Sequence, residues 1–513
     1  MAERKHLFGT TEKSDFILNM TDAGTKKFCA MYCIIAMIFI ELAAIPYYLT
    51  KNVVDYEEKA GNITFSHYVS DKIIYWAAVV MLGFGLLGLS IFLIGRMKKQ
   101  IILADNKPLI LLLGVIVMSF VSALASDDIG SAMTGYLDRA EGMLTLLGYY
   151  GFFAAAFTVV SDMWRKRVCS VIVGIGVVNS VIGFLQIIPA LKDTVPNWFS
   201  MLNVTLTSGY TEPAANGLAM TPHALAALLT VAVAVALNAV MFSDKLKYRL
   251  LYAGAAVIMT AAGVFTRTLT ALIGIGSAVL FSVIVAAVYA AKGGKNTSEA
   301  DGEDDTEKES GTSAVSGRSV IAAMLGSVIA LGATVGIVLA SQASAYPESD
   351  GYKTFYDEEV IRTDSIRVLM LLQKEDEDTW VYPYLWDDGL YVAEQHMFLG
   401  TGPDNWVTIS HEGATIDRTY NEYIDTAMQR GFVTLVLYIA FLLVTLFKGI
   451  KAVAAFIRGE VGWAAPAVFC GVFAYMVQAF FNISALTNTP FFYICVGLIW
   501  SYTAKKKSRA SGK

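Results

Sequence analysis

The sequence predicts an all-α polytopic membrane protein with about twelve transmembrane helices and one long loop before the last three. Hydrophobic residues make up 55% of the 513 residues and charged residues only 16%, so there is too little polar surface to cover a soluble protein of this size. Apolar runs of about 20 residues, the length that crosses a hydrocarbon core of about 30 Å, recur along almost the whole chain. Basic residues collect in alternate connecting segments, as in a chain that crosses the membrane repeatedly.

The apolar runs define the predicted spans in chain order. The seventh run is short, so the seventh and eighth runs are either two full crossings or a hairpin around Arg267. The first run is expected to be a retained helix, because the polar segment 1–27 is too long and too polar for a cleaved signal peptide. The runs are Phe28 to Tyr48, Ile73 to Ile94, Leu109 to Ala125, Met143 to Val160, Val168 to Ala190, Asn216 to Phe242, Leu250 to Phe265, Leu269 to Ala290, Val320 to Ser341, Phe432 to Ile450, Trp463 to Phe481 and Phe491 to Ala504.

The orientation follows from the distribution of the 39 Lys and Arg residues. Most of them fall in segments on the same side as the N-terminus, and basic residues collect on the cytoplasmic side. We therefore expect both termini in the cytoplasm and the long loop outside the cell. The predicted divisions are a cytoplasmic tail at 1–27, transmembrane helices 1–8 at 28–291, a disordered acidic cytoplasmic linker at 292–318, helix 9 at 319–341, an extracytoplasmic loop at 342–430, helices 10–12 at 431–504 and a basic cytoplasmic tail at 505–513.

Several familiar motifs are excluded by the sequence. The five cysteines lie in or beside apolar runs, so neither a disulfide framework nor a CxxC metal site is implied. HExxH, P-loop and GxSxG patterns are absent, and we expect no metal and no cofactor. Gly83, Gly85 and Gly88 spell GxGxxG inside an apolar span without a preceding strand, which favours helix packing over nucleotide binding. The long loop is acidic, which argues against nucleic acid as a partner.

Arginines on the predicted outer side are the most informative ionisable residues. Arg267 interrupts two apolar runs, and an arginine costs roughly 2.5 to 3.5 kcal/mol at the centre of a membrane helix. It is either functional or an anchor that extends to the interface. Arg139 lies in the loop before the fourth span, where it lines a site or pairs with Asp138 or Glu141.

The long loop contains two predicted helix starts. Residues 363–372 have the pattern of a capped amphipathic helix with Arg367 in its first turn. Thr419 to Glu422 form a capping box, which predicts a helix that begins at Tyr420 and continues into the tenth span. Its N-terminus, beside Arg418, is either a phosphate-binding helix end or a plain cap. These features indicate a membrane protein that binds a lipid phosphate.

Four motifs resemble those of the O-antigen ligase and O-antigen polymerase family. The glycine turn is the strongest, and the motifs occur in the family's order. They are Met397 to Trp406 with its Gly-x-Gly turn, Ile416 to Ile424 followed by Gly431, Thr266 to Leu272 around Arg267, and Gly135 to Gly142 around Arg139.

The resemblance implies a GT-C-like, metal-independent, inverting glycosyltransferase in the cytoplasmic (inner) membrane of a bacterium. It implies transfer from a polyprenyl-diphosphate-linked oligosaccharide to an acceptor glycan or glycolipid, at an active site outside the cytoplasm. Arg267 and Arg367 would hold the diphosphate, and Tyr420 or His411 would contact the acceptor. Further residues implied to bind substrate are Arg139, Arg418, Asn421, Glu422, Gly400 and Gly402.

The chain departs from the family pattern at two positions. Tyr420 stands where the ligases have a histidine, and a phenol with an ordinary pKa of about 10 is a poor base at neutral pH. Arg367 matches the family's loop arginine only if an insertion around residues 374–378 is allowed. These departures favour a divergent polymerase or a ligase for another surface polysaccharide. The alternatives are a lipid or glycan transporter (flippase), although we find no internal repeat, and a non-catalytic envelope assembly protein.

Overall fold

The computed structural model describes residues 27–42, 79–94, 102–103, 109–135, 140–188, 215–219, 221–292, 315–344, 381–406, 408–409, 415–416, 418–502 and 504–505. All long elements in these ranges are α-helices. Four two-residue strands form two antiparallel pairs, Ile102–Leu103 (β1) with Ala504–Lys505 (β4) and Thr408–Ile409 (β2) with Thr415–Ile416 (β3).

The helices follow the predicted spans one by one, with a short helix after the third span and another in the long loop. They are α1 (27–42), α2 (Val79–Ile94), α3 (Leu109–Ala125), α4 (Ile129–Thr134), α5 (Met143–Phe157), α6 (Asp162–Ile187), α7 (Pro222–Phe242), α8 (Leu246–Phe265), α9 (Leu269–Ala291), α10 (Gly317–Ser344), α11 (Val381–Gln395), α12 (Glu422–Ile457), α13 (Ala464–Gln478, followed by a 3-10 turn at Ala479–Phe481) and α14 (Thr489–Ser501).

Seven helices in the described ranges are long and apolar enough to cross a membrane: α6 to α10, α12, and α13 with its 3-10 turn. The protein is thus a multi-pass membrane protein, while the total of twelve crossings stays a prediction. Helix α8 begins four residues before the predicted start and has 20 residues, and α9 has 23. Both are therefore long enough for a full crossing on either side of Arg267.

Helix α7 forms the centre of the bundle. Every one of its residues is buried, and it packs against α6, α8, α9 and α13. Its sequence is rich in Ala and Val, and such small side chains allow neighbouring helices to approach closely. Within this core the Asn238 side chain donates to the Ser282 hydroxyl of α9 at 3.0 Å. The remaining helices pack around α7, with α3 against α12 and α5 against α14.

The GxGxxG segment is a helix contact, as its position in an apolar span predicts. A methyl group on Gly85 would collide with the backbone of Gly148 in α5, and one on Gly88 with the backbone of Gly151. Gly83, by contrast, faces open space. Two glycines on each helix thus allow α2 and α5 to touch backbone to backbone.

Basic side chains mark one end of the bundle. Arg165 at the start of α6 binds Asp162 at 2.7 Å and donates to the Ser501 carbonyl at the end of α14. Arg249 at the start of α8 donates to the Ser319 hydroxyl of α10 at 2.6 Å. The positive-inside rule predicts that this end faces the cytoplasm. The predicted site residues that the structure describes lie at the opposite end.

Candidate functional site

Several connections meet at the end of the bundle opposite the basic residues. Because the helices alternate in direction, the loops before α5, α7, α9, α12 and α14 all emerge there, and hydrogen bonds join them. These bonds are Ala215 N–H to the Phe265 carbonyl (3.0 Å), Thr270 hydroxyl to the Phe481 carbonyl, Asn482 amide to the His223 carbonyl (3.1 Å), Arg418 guanidinium to the Ser484 carbonyl (2.8 Å) and Glu141 N–H to the Asp404 carboxylate (3.0 Å).

Arg267 lies between two helices at this end. Its backbone has a left-handed conformation, with φ of 59°, and the residue is only 8% exposed. The Thr266 hydroxyl donates to the Gly263 carbonyl at the end of α8, and the Thr268 hydroxyl accepts from Ala271 N–H as the N-cap of α9. The structure thus places a buried guanidinium beside the N-terminus of α9.

Helix α12 begins two residues later than the capping-box interpretation requires. Asn421 is the N-cap, since its side chain accepts from two N–H groups of the first turn at 3.0 and 3.2 Å. Thr419 instead binds Asp425, through its N–H at 3.1 Å and its hydroxyl at 2.8 Å. Tyr420 lies outside the helix with φ of 52°. The prediction of a helix that starts at Tyr420 with Thr419 as its cap is therefore wrong, because a tertiary contact engages the threonine.

His223 is a site residue that the sequence interpretation missed. It occupies the first turn of α7, after the N-cap Thr221 and Pro222, and it is 1% exposed. Its ring packs on that of Tyr420 with a centroid distance of 5.0 Å. A Thr-Pro-His start followed by an apolar run looks like an ordinary helix cap. The signal that could have identified His223 is an imidazole at the end of a fully apolar span.

A buried ion pair joins the loop to the membrane helices. The Arg418 guanidinium lies 3.6 Å from the Glu141 carboxylate, which also accepts from the Tyr149 hydroxyl at 2.7 Å and the Ser484 hydroxyl at 2.6 Å. Burial raises the pKa of the Glu141 carboxyl above its ordinary value, and the positive charge of Arg418 opposes that shift. Arg418, predicted to bind substrate, thus contacts a carboxylate of the protein at the same end of the bundle.

A second buried carboxylate lies at the start of α12. Glu422 accepts from the Tyr438 hydroxyl at 2.8 Å, two turns beyond the break in this helix. Arg430, also in the first part of α12, donates to the Thr426 hydroxyl at 2.6 Å. The predicted substrate residues Asn421 and Glu422 are thus engaged in forming and bracing the helix start.

The glycine turn fills a break in α12. The helix is interrupted at Gly431, where φ is 82° and ψ is 159°, so the carbonyls before it lose their helical partners. The Met428 carbonyl accepts from Thr401 N–H at 3.0 Å, and the Gln429 carbonyl accepts from Gly402 N–H at 2.9 Å. The turn therefore satisfies the backbone groups that the break exposes.

Glycine is required on both sides of this contact. Gly400 and Gly402 have φ of 71° and 108°, a region that side chains disfavour. A methyl group on Gly400 would collide with the Gln429 backbone, one on Gly402 with Ser126, and one on Gly431 with the Phe398 carbonyl. Gly400 and Gly402, predicted to bind substrate, dock the loop onto α12 in this structure.

A cavity of about 330 Å³ opens beside the glycine turn. Its lining includes hydroxyl, carboxylate, imidazole, amide and indole groups from the end of α3, the end of α11 and the turn itself. Such groups can hydrogen-bond to a polyhydroxyl ligand. They belong to Ser126, Asp127, His396, Thr401, Asn405 and Trp406.

Three predicted site residues, Arg139, Arg367 and His411, lie outside the described residues, as do the predicted helix at 363–372 and most of the acidic linker. The two ends of the Arg139 loop are described, and they touch. A methyl group on Gly142 would collide with the backbone of Gly135, which has φ of 95°. This closed loop places Glu141 directly beside the glycine turn.

The fold and the site define a multi-pass membrane protein with a polar, arginine-containing site at one end of its helix bundle. Residues 254–439 match the family model described as O-antigen ligase. The match runs from α8 through Arg267 and the glycine turn into α12. No curated protein matches the chain. The match indicates an O-antigen ligase-type, glycosyltransferase-like function in polysaccharide biosynthesis, with lipid-linked glycans as substrates.

Proposed function

We propose that the protein is a metal-independent, inverting glycosyltransferase that polymerises or ligates a polyprenyl-diphosphate-linked glycan on the outer face of the cytoplasmic membrane. The observation that carries the proposal is the convergence of three helix N-termini with Arg267. The capped starts of α7, α9 and α12 lie at the same end of the bundle as Arg267. The contacts of His223 with Tyr420 and Asn482 join them. The family match supports the reaction class.

This arrangement suits a diphosphate leaving group. Each helix N-terminus carries about half a positive charge, and such ends bind phosphate. Arg267 adds a buried guanidinium at the start of α9. We therefore assign the diphosphate to Arg267 and the helix ends, with Arg367 and Arg139 as further proposed ligands.

In the proposed reaction the acceptor hydroxyl oxygen attacks the anomeric carbon from the side opposite the diphosphate. The bond from that carbon to the phosphate oxygen breaks, and the diphosphate carrier leaves with the electron pair. A single displacement of this kind inverts the configuration at the anomeric carbon. The polar cavity beside the glycine turn is the proposed place for sugar residues, because its groups match sugar hydroxyls.

The experiment uses purified protein in lipid nanodiscs with a labelled polyprenyl-diphosphate oligosaccharide and an acceptor glycan. We expect a longer or conjugated glycan together with free carrier diphosphate. Arg267→Ala should lower turnover about 100-fold or more, since it removes a group that stabilises developing negative charge. Arg458→Ala is the matched control, because Arg458 is exposed and pairs with Glu460 at the opposite end.

Three outcomes contradict the proposal. Movement of the intact glycolipid across a vesicle membrane without carrier release indicates a transporter. Intact substrate under all conditions, with retained membrane insertion, indicates an assembly protein. Equal turnover of Arg267→Ala and Arg458→Ala removes Arg267 from the site.

A further inference from the structure

His223 is a buried imidazole whose two ring nitrogens have no hydrogen-bond partner among the described residues. Buried polar groups are nearly always satisfied, because an unmade hydrogen bond costs free energy. Here two nitrogens are left unsatisfied on a residue that is 1% exposed. An imidazole in this state keeps a lone pair available, which points to a partner that arrives with the substrate.

The structure holds this imidazole in a fixed place. Pro222 begins α7 with a backbone conformation suited to a helix start, and Thr221 caps it by accepting from Ala224 N–H at 3.1 Å. On the other side, the Asn482 side chain donates to the His223 carbonyl at 3.1 Å. The ring therefore projects from a rigid helix start into the convergence of loops at this end of the bundle.

Tyr420 covers one side of the imidazole. The two rings are tilted by 49° with their centroids 5.0 Å apart. The tyrosine backbone has φ of 52° and is fixed by its neighbours, since Thr419 binds Asp425 and Asn421 caps α12. Side chains in the left-handed region are disfavoured and cluster at functional sites. Tyr420 is partly exposed, so it separates the buried imidazole from the open side of the site.

We propose that His223 is the general base of the transfer reaction and that the Tyr420 ring covers it. This inference rests on the proposed glycosyl transfer. The acceptor O–H proton passes to a ring nitrogen of His223 as the acceptor oxygen bonds to the anomeric carbon. The bond from that carbon to the phosphate oxygen breaks, with its electron pair leaving on the diphosphate. The imidazolium then releases its proton to water or to the departing diphosphate.

Substitutions at the two contacting positions test the assignment in the purified assay. His223→Asn should lower turnover about 100-fold or more, the usual contribution of a general base, while binding of the labelled polyprenyl diphosphate changes less than about threefold. Tyr420→Phe keeps the covering ring and removes the hydroxyl, so turnover should fall less than about tenfold. His6→Asn, in the predicted cytoplasmic tail, is the matched control.

The double variant His223→Asn, Tyr420→His supplies a further readout that a structural role of His223 would not give. It moves an imidazole across the 5.0 Å ring contact, and turnover should recover about tenfold or more over His223→Asn alone. If His223→Asn does not fold, His223→Gln is tested instead. The turnover of Tyr420→Phe then shows whether the imidazole or the phenol acts as the base.

Wild-type turnover in a folded His223→Asn protein overturns the proposal, and so does a loss in Tyr420→Phe of 100-fold or more. Failure of the inference remains distinct from failure of the proposed function. In the first case the wild-type protein still forms product, whereas in the second it forms none.

Discussion

Replacement of Gly431 by Ala tests whether the glycine turn and the break in α12 are one structural unit. Gly431 has φ of 82° and ψ of 159°, a combination that is essentially restricted to glycine. A methyl group there would overlap the Phe398 carbonyl. Because the obstacle is backbone, a change of side-chain rotamer cannot relieve the overlap, and the turn must move away from the helix.

The magnitude follows from the contacts that depend on this geometry. An alanine in that backbone region costs about 1 to 3 kcal/mol. Three interelement hydrogen bonds bridge the break, from Thr401 N–H, Gly402 N–H and Phe432 N–H, with lengths of 2.9 to 3.0 Å. Each contributes about 0.5 to 1.5 kcal/mol net. Loss of all three with the strain should lower the free energy of unfolding by about 3 to 7 kcal/mol.

Reversible unfolding of purified protein in mixed micelles by SDS titration measures this loss, with tryptophan fluorescence as the signal. Gly332→Ala in α10 is the control, since Gly332 faces open space inside a helix. Alanine there should stabilise the protein by about 0.5 to 1 kcal/mol. The two substitutions add the same atom and are expected to act in opposite directions. An unfolding free energy of Gly431→Ala equal to that of the wild type would refute the coupling of turn and helix.

Two further predictions concern carboxylates near the site. Glu141→Ala leaves the mostly buried Arg418 without this carboxylate and should cost about 3 to 5 kcal/mol in the SDS titration. Glu141→Gln keeps one acceptor oxygen and places a donor NH2 in the other position, where a hydroxyl of Tyr149 or Ser484 can turn to accept. A loss from Gln as large as that from Ala would therefore show that charge alone matters. Ser131 donates to Asp128 through its N–H at 3.1 Å and its hydroxyl at 2.6 Å, which lowers the pKa of that carboxyl. The Asp128 carboxylate therefore stabilises the fold fully at neutral pH, and this stabilisation is lost as the pH falls through the lowered pKa. The difference in unfolding free energy between wild type and Asp128→Asn should shrink toward pH 3. A difference that stays constant with pH contradicts this prediction.

The helices were predictable because each one is determined by the residues of its own segment. A run of about 20 apolar residues buries its backbone polar groups only as a helix in lipid, and a helix lies on each of the twelve predicted runs. The role of Gly85 and Gly88 was predictable for a similar reason, since small residues inside an apolar run have few uses besides close helix packing. These predictions need no knowledge of which helices are neighbours.

The details of the site were not predictable because they depend on tertiary contacts. Thr419 has the residue type and spacing of a helix cap, yet its hydroxyl binds Asp425 and the cap falls to Asn421. Arg418 appeared beside a helix end in the sequence, but the Glu141 carboxylate that faces it comes from a loop far away in the chain. The residues next to Arg418 in the sequence do not indicate that a distant carboxylate balances its charge.

The same reasoning applies to the segment that matches the family model. The family match covers residues 254–439, which include Arg267 and Tyr420. His223 and Glu141 lie outside the matched segment and contact it only in the folded protein. If His223 supplies the base, the replacement of a histidine by Tyr420 within the family segment leaves an imidazole within ring contact of the original position. The functional unit is then the convergence of loops, and the family segment alone contains only part of it.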